Sequence, residues 1–145
     1  MVASILTVCV GNVCRSPMAT GLLREQLPNL RVESAGLAAL VGRPADSNAV
    51  SIMAERGIDI SKHRARQLVT TLCRDVDLIL VMDDEQKRLV QQHYAFGYGR
   101  VFRIGHFSEF DVPDPYTKGE DVFAACGALI EKGVSGWTAR IRALS

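Results

Sequence analysis

One segment near the amino terminus restricts the fold more than any other part of the chain. Residues 9–16 read CVGNVCRS; they follow the largely apolar run 5–8 and precede Pro17. The run predicts a buried strand, and Pro17 suits the first position of a helix because it lacks an N–H and its φ is already helical. A loop between strand and helix can direct backbone N–H groups and the positive helix end at one point. The sequence therefore predicts an anion-binding loop after the first strand.

Three side chains of this loop meet the needs of attack on phosphorus. Cys9 supplies a sulfur nucleophile, which is effective as the thiolate, the form that cations and helix N-termini favour. Arg15 presents a planar fork that holds two phosphoryl oxygens at once, which a lysine cannot do. Ser16 can donate a hydrogen bond to the sulfur and ease its departure from a phosphocysteine. We expect Cys9, Arg15 and Ser16 to act together.

The remaining loop residues suit a tight turn around an anion. Gly11 permits a positive φ or a close backbone approach, and Asn12 tolerates the left-handed region better than most residues. An isolated cysteine would more simply be a buried strand-end residue, with the arginine on a helix surface; the joint pattern argues against this. The predicted phosphate-binding loop consists of Val10, Gly11, Asn12, Val13, Cys14 and Arg15.

The segment from Cys9 to Pro17 resembles the signature loop of low-molecular-weight protein tyrosine phosphatases. The resemblance covers almost the whole chain through residues 34–36 (SAG), 61–67 (SKHRARQ), 77–80 (DLIL) and 114–116 (DPY). Residues 37–42 resemble the bacterial branch linked to capsule and exopolysaccharide export. The resemblance implies hydrolysis of phosphotyrosine in a protein substrate, and a bacterial tyrosine autokinase as that substrate.

Cleavage of a phosphoester also requires a proton donor for the leaving oxygen. Asp114 is the best candidate because Pro113 and Pro115 stiffen the chain on both sides and hold it extended. The resemblance independently places the acid at Asp114. Asp111 is the competing carboxylate, although it more simply faces solvent or caps a turn. Tyr116 is expected to line the pocket mouth and stack against an aromatic phosphoester, or to pack over the loop.

Support for the loop is implied by the resemblance. In the family, residues matching Asn12, Ser16, Ser34 and His63 form a hydrogen-bonded network that locks the loop. The sequence alone would make Ser34 a turn residue at a strand end and His63 a partly exposed loop residue. Leu40 lies in a variable loop, where animal members carry a large aromatic residue, and is assigned to the pocket rim.

The four cysteines are dispersed along the chain, which favours free thiols in a reducing compartment over disulfides. Cys14 either forms a reversible disulfide with Cys9 under peroxide or fills space behind the loop. Cys73 and Cys126 are predicted to be core residues. No Cys-x-x-Cys pair or Cys/His cluster has metal-ligand spacing, so neither metal nor cofactor is expected.

Length and composition indicate one domain over residues 1–145, since this length suffices for a proper core. A formal net charge of +1 gives no electrostatic case for nucleic acid or an anionic membrane. No stretch reaches the roughly 18 apolar residues of a membrane-spanning helix, and the amino terminus shows no secretion signal. We expect a cytoplasmic monomer.

Strand-like and helix-like segments alternate, which predicts an α/β fold with a four-stranded parallel sheet flanked by helices. Ligands in such folds lie beyond the carboxyl ends of the strands, where Cys9 is expected. The predicted strands cover 4–9, 31–34, 77–82 and 100–104. The predicted helices cover 17–26, 46–56, 65–73, 84–93 and 119–144, the last with glycines that put its continuity in question.

Two rival functions follow from the same loop. An arsenate reductase of related fold would need further cysteines to resolve a thiol–arsenic adduct, and residues 82–85 after the third strand contain none. A non-catalytic phosphotyrosine-binding or redox-sensing module would lack the nucleophile, the arginine or the acid. All three residue types are present, so the sequence favours the phosphatase.

Overall fold

A four-stranded parallel sheet forms the centre of the protein, as the computed structural model of residues 1–144 shows. The strand order is β2-β1-β3-β4, and each strand pairs with its neighbour in parallel. The predicted fold class is confirmed. The strands are β1 (Ser4–Cys9), β2 (Arg31–Gly36), β3 (Leu78–Val81) and β4 (Val101–Arg103). The α-helices are α1 (Arg15–Gln26), α2 (Ser47–Ala54), α3 (Thr70–Arg74), α4 (Asp84–His93) and α5 (Glu120–Ala143).

The two faces of the sheet carry separate hydrophobic clusters, because successive side chains of a strand point to opposite faces. Ile5 and Cys9 of β1 belong to the cluster that also contains the buried faces of α1, α2 and α5. Leu6 and Val8 belong to the other cluster, which includes Cys73 of α3 and Val90 of α4. The sheet alternation therefore assigns Cys9 to the same layer as α1 and α5.

Helix α1 begins earlier than the sequence predicts. Arg15 is already helical and Pro17 is the third helical residue, so its placement at the first helical position is wrong. The first four N–H groups of a helix have no partner within it. A proline in this turn therefore sacrifices no helical hydrogen bond, and Arg15 lies at the start of the helix, next to the loop.

The prediction of a helix over 65–73 is wrong in its first half. Gly36 forms a parallel bridge to Gln67, with the N–H of Gly36 donating to the carbonyl of Arg66 at 2.9 Å and that of Leu68 donating to the carbonyl of Gly36 at 2.8 Å. These bonds extend the β2 edge and hold residues 65–69 in a non-helical conformation. Only Thr70–Arg74 is helical.

Helix α5 is continuous despite its glycines. A Cβ on Gly133 would lie 2.6 Å from the carbonyl oxygen of Ile104, so this glycine allows the helix to pack closely against the chain that follows β4. Gly133 is therefore explained by close packing and does not mark a break in the helix. Within residues 1–144, no helix has both the length and the apolar character required to cross a bilayer.

Candidate active site

A pocket of about 140 Å³ lies beyond the carboxyl end of β1. The phosphate loop and the start of α1 form one wall, the segment after β2 forms another, and the chain before α5 closes the pocket. The structure thus brings together the predicted nucleophile, arginine, acid and rim. The lining residues are Cys9, Val10, Gly11, Val13, Cys14, Arg15, Ala38, Leu40, Asp114 and Tyr116.

The sulfur of Cys9 is held by Ser16. The distance between Cys9 Sγ and Ser16 Oγ is 2.9 Å, and both side chains are buried. Ser16 Oγ also accepts a hydrogen bond of 2.7 Å from Asn12 Nδ2. Because that bond uses a lone pair of the hydroxyl, the hydroxyl proton is left to donate to the sulfur. The arrangement therefore places a hydrogen-bond donor directly against the sulfur of Cys9.

Asn12 connects the supporting residues named by the sequence. It is fully buried, and its φ of 59° lies in the left-handed region. Its Nδ2 donates to the hydroxyls of Ser16 at 2.7 Å and Ser34 at 3.0 Å. Its Oδ1 accepts from the backbone N–H of Arg66 at 2.9 Å, and its carbonyl accepts from His63 Nε2 at 2.7 Å. These four bonds fix both the side chain and the backbone of the loop.

The imidazole of His63 must carry a proton on Nε2, because the carbonyl of Asn12 can only accept. Burial lowers the pKa of His63, and the positive charges of Arg24, Arg64 and Arg66 lower it further; the bond to Asn12 opposes this. The neutral ring is therefore favoured over the imidazolium.

Arg15 is almost completely buried at the base of the pocket, with 2% of its side chain exposed. Its Nη1 donates to the carbonyl of Val112 at 2.9 Å and lies 3.6 Å from Asp83 Oδ2. Its Nη2 lies 3.6 Å from Asp114 Oδ2. Its Nε is buried without a hydrogen-bond partner among residues 1–144. A buried guanidinium that keeps donor capacity is suited to an oxyanion.

Asp83 is the site residue that sequence reasoning missed. It follows β3 and caps α4, with its Oδ1 accepting from the N–H of Gln86 at 2.8 Å. Its other oxygen faces Arg15. A carboxylate directly after a parallel strand was the available signal, since the strands end at one edge of the sheet.

Residues 112–116, which we call the acid loop, are more exposed than the phosphate loop. Asp114 has 48% of its side chain exposed, and its Oδ1 accepts from the N–H of Tyr116 at 3.0 Å. Tyr116 is 42% exposed. Asp111 pairs with Arg103 at 2.9 Å and does not line the pocket. Of the two candidate carboxylates, the structure places Asp114 in the pocket.

Two further thiols lie near the nucleophile. Cys14 lines the pocket, and burial raises its pKa strongly, with the charge of Asp46 adding to the effect. Burial raises the pKa of Cys126 to about 12, and this thiol lies close enough to Arg15 and Cys9 to respond to their charges. Cys126 was predicted only as a core residue, and it is indeed buried. Both thiols are neutral at physiological pH and are poor nucleophiles.

Within residues 1–144, no group of three or more histidine, cysteine, aspartate or glutamate residues could hold a metal ion. All four cysteines are free and buried.

Comparison with known proteins identifies the family. The family described as "Low molecular weight phosphotyrosine protein phosphatase" matches residues 4–144. The chain is 52% identical over 144 residues to the probable low molecular weight protein-tyrosine-phosphatase EpsP of Ralstonia solanacearum, covering 99% of both chains. It is 43% identical to the phosphatase Wzb of Escherichia coli K12, covering 99% of this chain and 98% of Wzb.

A solved structure agrees with this assignment. The Vibrio vulnificus Wzb in complex with benzylphosphonate superposes with a TM-score of 0.93 at 35% identity, covering 97% of this chain and 99% of that one. The resemblance inferred from the sequence, including its exopolysaccharide-associated bacterial branch, is confirmed. The chain belongs to the low-molecular-weight protein tyrosine phosphatase family and is a protein tyrosine phosphatase.

Proposed function

We propose that the enzyme hydrolyses phosphotyrosine through a phosphocysteine on Cys9. The observation that carries the proposal is the single pocket in which Cys9, Arg15 and Asp114 meet. In this proposal Arg15 and the loop amides bind the phosphoryl group and Cys9 attacks it. Asp114 donates a proton to the leaving oxygen.

In the first step the Cys9 thiolate attacks phosphorus from the side opposite the tyrosyl oxygen. The S–P bond forms as the P–O bond breaks, and protonated Asp114 delivers its proton to the leaving phenolate. Arg15 and the backbone N–H groups stabilise the equatorial oxygens, whose charge is spread in the transition state. Because these donors are fixed before the substrate arrives, little reorganisation is required.

In the second step water attacks the phosphocysteine. Asp114, now a carboxylate, accepts the proton of the water, and the S–P bond breaks to release inorganic phosphate. Ser16, 2.9 Å from the sulfur, stabilises the departing thiolate by donating its hydroxyl proton. The thiolate, the protonated acid and the loop are thereby restored, so the cycle needs no cofactor.

The rim supports an aromatic phosphoester as the substrate. Leu40 and Tyr116 line the pocket mouth and offer apolar surface to a phenyl ring. Benzylphosphonate, the compound bound by the Vibrio vulnificus protein, has the same combination of aromatic ring and phosphoryl-type group. We further propose that the enzyme is a cytoplasmic monomer and that its substrate is a bacterial tyrosine autokinase of exopolysaccharide production or export.

Replacement of the nucleophile tests the proposal. Cys9→Ser should abolish turnover of p-nitrophenyl phosphate measured with a chelator present, because a serine hydroxyl in this environment is a weak nucleophile. Cys73→Ala, which alters a buried thiol in the cluster on the other face of the sheet, is the control and should retain the wild-type rate. Substantial turnover by Cys9→Ser would remove Cys9 as the nucleophile.

The same variant can identify the substrate. Cys9→Ser should still bind phosphoryl groups, since the loop and Arg15 are unchanged, and so should retain phosphopeptides for mass spectrometry. Recovery of tyrosine phosphopeptides from an autokinase is the expected outcome. Thioredoxin-dependent reduction of arsenate by the wild-type protein would instead support the arsenate reductase alternative.

A further inference from the structure

A second concavity of about 660 Å³ lies between α1, residues 57–66 and the end of β2. We call it the basic groove. It shares no lining residue with the catalytic pocket, and its volume falls in the range of ligand-binding clefts. Its walls contain Arg24, Lys62, His63, Arg64 and Arg66.

The groove presents more positive than negative groups. Its carboxylates are Glu25, Glu33 and Asp59. Glu33 is engaged by Arg66 at 3.0 Å, and Asp59 accepts from the backbone N–H of Ser61 at 2.8 Å. Arg64 bonds only to carbonyls of its own loop, and the Lys62 ammonium is exposed. Neither cation forms a salt bridge with a carboxylate within residues 1–144, although the charge of Lys62 acts on Asp59 through space.

The positive charges of the groove act on His63, the histidine that lines it. The guanidinium groups of Arg24, Arg64 and Arg66 all act on His63 and, after burial, are the charges that lower its pKa. An anion bound beside His63 would therefore be attracted by these three guanidinium groups.

Two groove residues also hold the phosphate loop. His63 Nε2 donates to the carbonyl of Asn12, and the N–H of Arg66 donates to Asn12 Oδ1. Asn12 in turn donates to Ser16, which contacts the sulfur of Cys9 at 2.9 Å. A ligand that moves His63 or Arg66 therefore acts on the nucleophile through a continuous chain of hydrogen bonds.

We propose that the basic groove binds a phosphate-class oxyanion, and that its occupancy is communicated to the phosphate loop through Asn12. The anion is either free inorganic phosphate, the product of the reaction, or a phosphoryl group carried by an ester. Binding in the groove does not depend on the proposed function, whereas its effect on turnover does.

Histidine resonances in NMR spectra test the binding. The chain has three histidines, so His63 can be followed while His93 and His106 report on the fold. Inorganic phosphate should shift the His63 resonance and raise its pKa, because a bound anion stabilises the imidazolium. The response should persist in Arg15→Met, which removes the guanidinium of the catalytic pocket.

The double variant Lys62→Ala/Arg64→Ala should weaken the phosphate response of His63 at least about tenfold, since two cations are lost. The control Arg88→Ala/Arg140→Ala removes the same charge from exposed helical positions and should leave the response unchanged. A response that survives the groove variant unaltered, or that vanishes in a folded Arg15→Met, would overturn the proposal. Phenyl phosphate titrated into Cys9→Ser distinguishes an ester from free phosphate; a groove that binds neither refutes the site.

Kinetic measurements test the coupling between the basic groove and the phosphate loop. They also test the proposal if the Arg15→Met variant does not fold. Phosphate should affect turnover of p-nitrophenyl phosphate by the wild type in two ways, through competition at the pocket and through a change in kcat. The groove variant should show competition alone, with the same competitive constant, and the charge-matched control should behave as the wild type. Purely competitive inhibition of all three proteins would overturn the coupling. A wild type without turnover refutes the proposed function but leaves the NMR result intact.

Discussion

The phosphate loop and the acid loop both line the catalytic pocket, but the protein builds them differently. In the phosphate loop, Asn12 and Ser16 are fully buried and Arg15 is 2% exposed. In the acid loop, Asp114 is 48% exposed and Tyr116 is 42% exposed. Hydrogen bonds with residues 34–46 and 63–66 hold the first loop, whereas the side chain of Asp114 accepts a hydrogen bond within its own turn.

The two loops meet at Val112. Its carbonyl accepts from Arg15 Nη1 at 2.9 Å, and its N–H donates to the carbonyl of Met82 at 2.8 Å. Val112 is completely buried, so it anchors the acid loop to the sheet two residues before Asp114. In the proposed mechanism the groups that bind the phosphoryl group are therefore held in place before the substrate arrives, whereas the proposed acid and rim lie on a more exposed segment.

The largest effect is expected at the exposed acid. Asp114→Asn should lower kcat for phenyl phosphate by about 10²–10⁴ because the leaving phenolate loses its proton donor. The loss should be smaller for esters with very good leaving groups, which need no proton. Rates measured over a series of substituted phenyl phosphates would show this dependence.

Asp111→Asn is the matched control for Asp114→Asn. Its side chain pairs with Arg103, so its removal should leave the rate near that of the wild type. A larger loss in Asp111→Asn than in Asp114→Asn would assign the acid to Asp111. That result would also remove the contrast between the phosphate loop and the acid loop, because the acid would then belong to a surface ion pair.

A smaller but still severe loss of activity is expected from a substitution in the buried phosphate loop. Arg15→Lys should lower kcat/KM by about 10²–10³, as does loss of an oxyanion-hole donor, because lysine cannot hold two phosphoryl oxygens at once. It also loses the planar fork that reaches Val112. The competitive constant for phosphate should rise in parallel, and thermal unfolding would show that the variant is folded. A near-normal kcat/KM would contradict bidentate binding.

Local signals made most of the fold predictable. The four strands and the helices at 84–93 and 119–144 lie within two residues of their predicted ends, because buried runs and helix caps are encoded in contiguous residues. The segment 65–69 was mispredicted because its conformation depends on hydrogen bonds to Gly36 and Asn12, which lie far away in the sequence. Tertiary contacts overrode a local helical pattern there.

The same distinction applies to the site. The phosphate loop is contiguous, so its chemistry was visible as a motif. The contact between Arg15 and Asp83 joins the start of α1 to the residues that follow β3, and no spacing rule connects them. The basic groove is also non-local, since it forms only when α1, β2 and residues 57–66 pack together. Asp83 and the basic groove, which no motif marks in the sequence, were therefore missed.

The smallest expected effect is on the stability of the folded protein. It tests how far the packing of the phosphate loop depends on a neutral His63. The pKa of His63 is lowered in the folded protein, mainly by burial, so the unfolded chain binds the proton more readily. Stability should therefore be complete above the unfolded pKa of about 6.5 and should decline as the pH falls below it toward the folded pKa. Urea unfolding in a buffer without phosphate, between neutral and mildly acidic pH, measures this decline. His63→Gln should flatten it, while the exposed His93→Gln should preserve it. If the stability of His63→Gln declined with pH as in the wild type, the phosphate loop would not depend on a neutral imidazole at position 63.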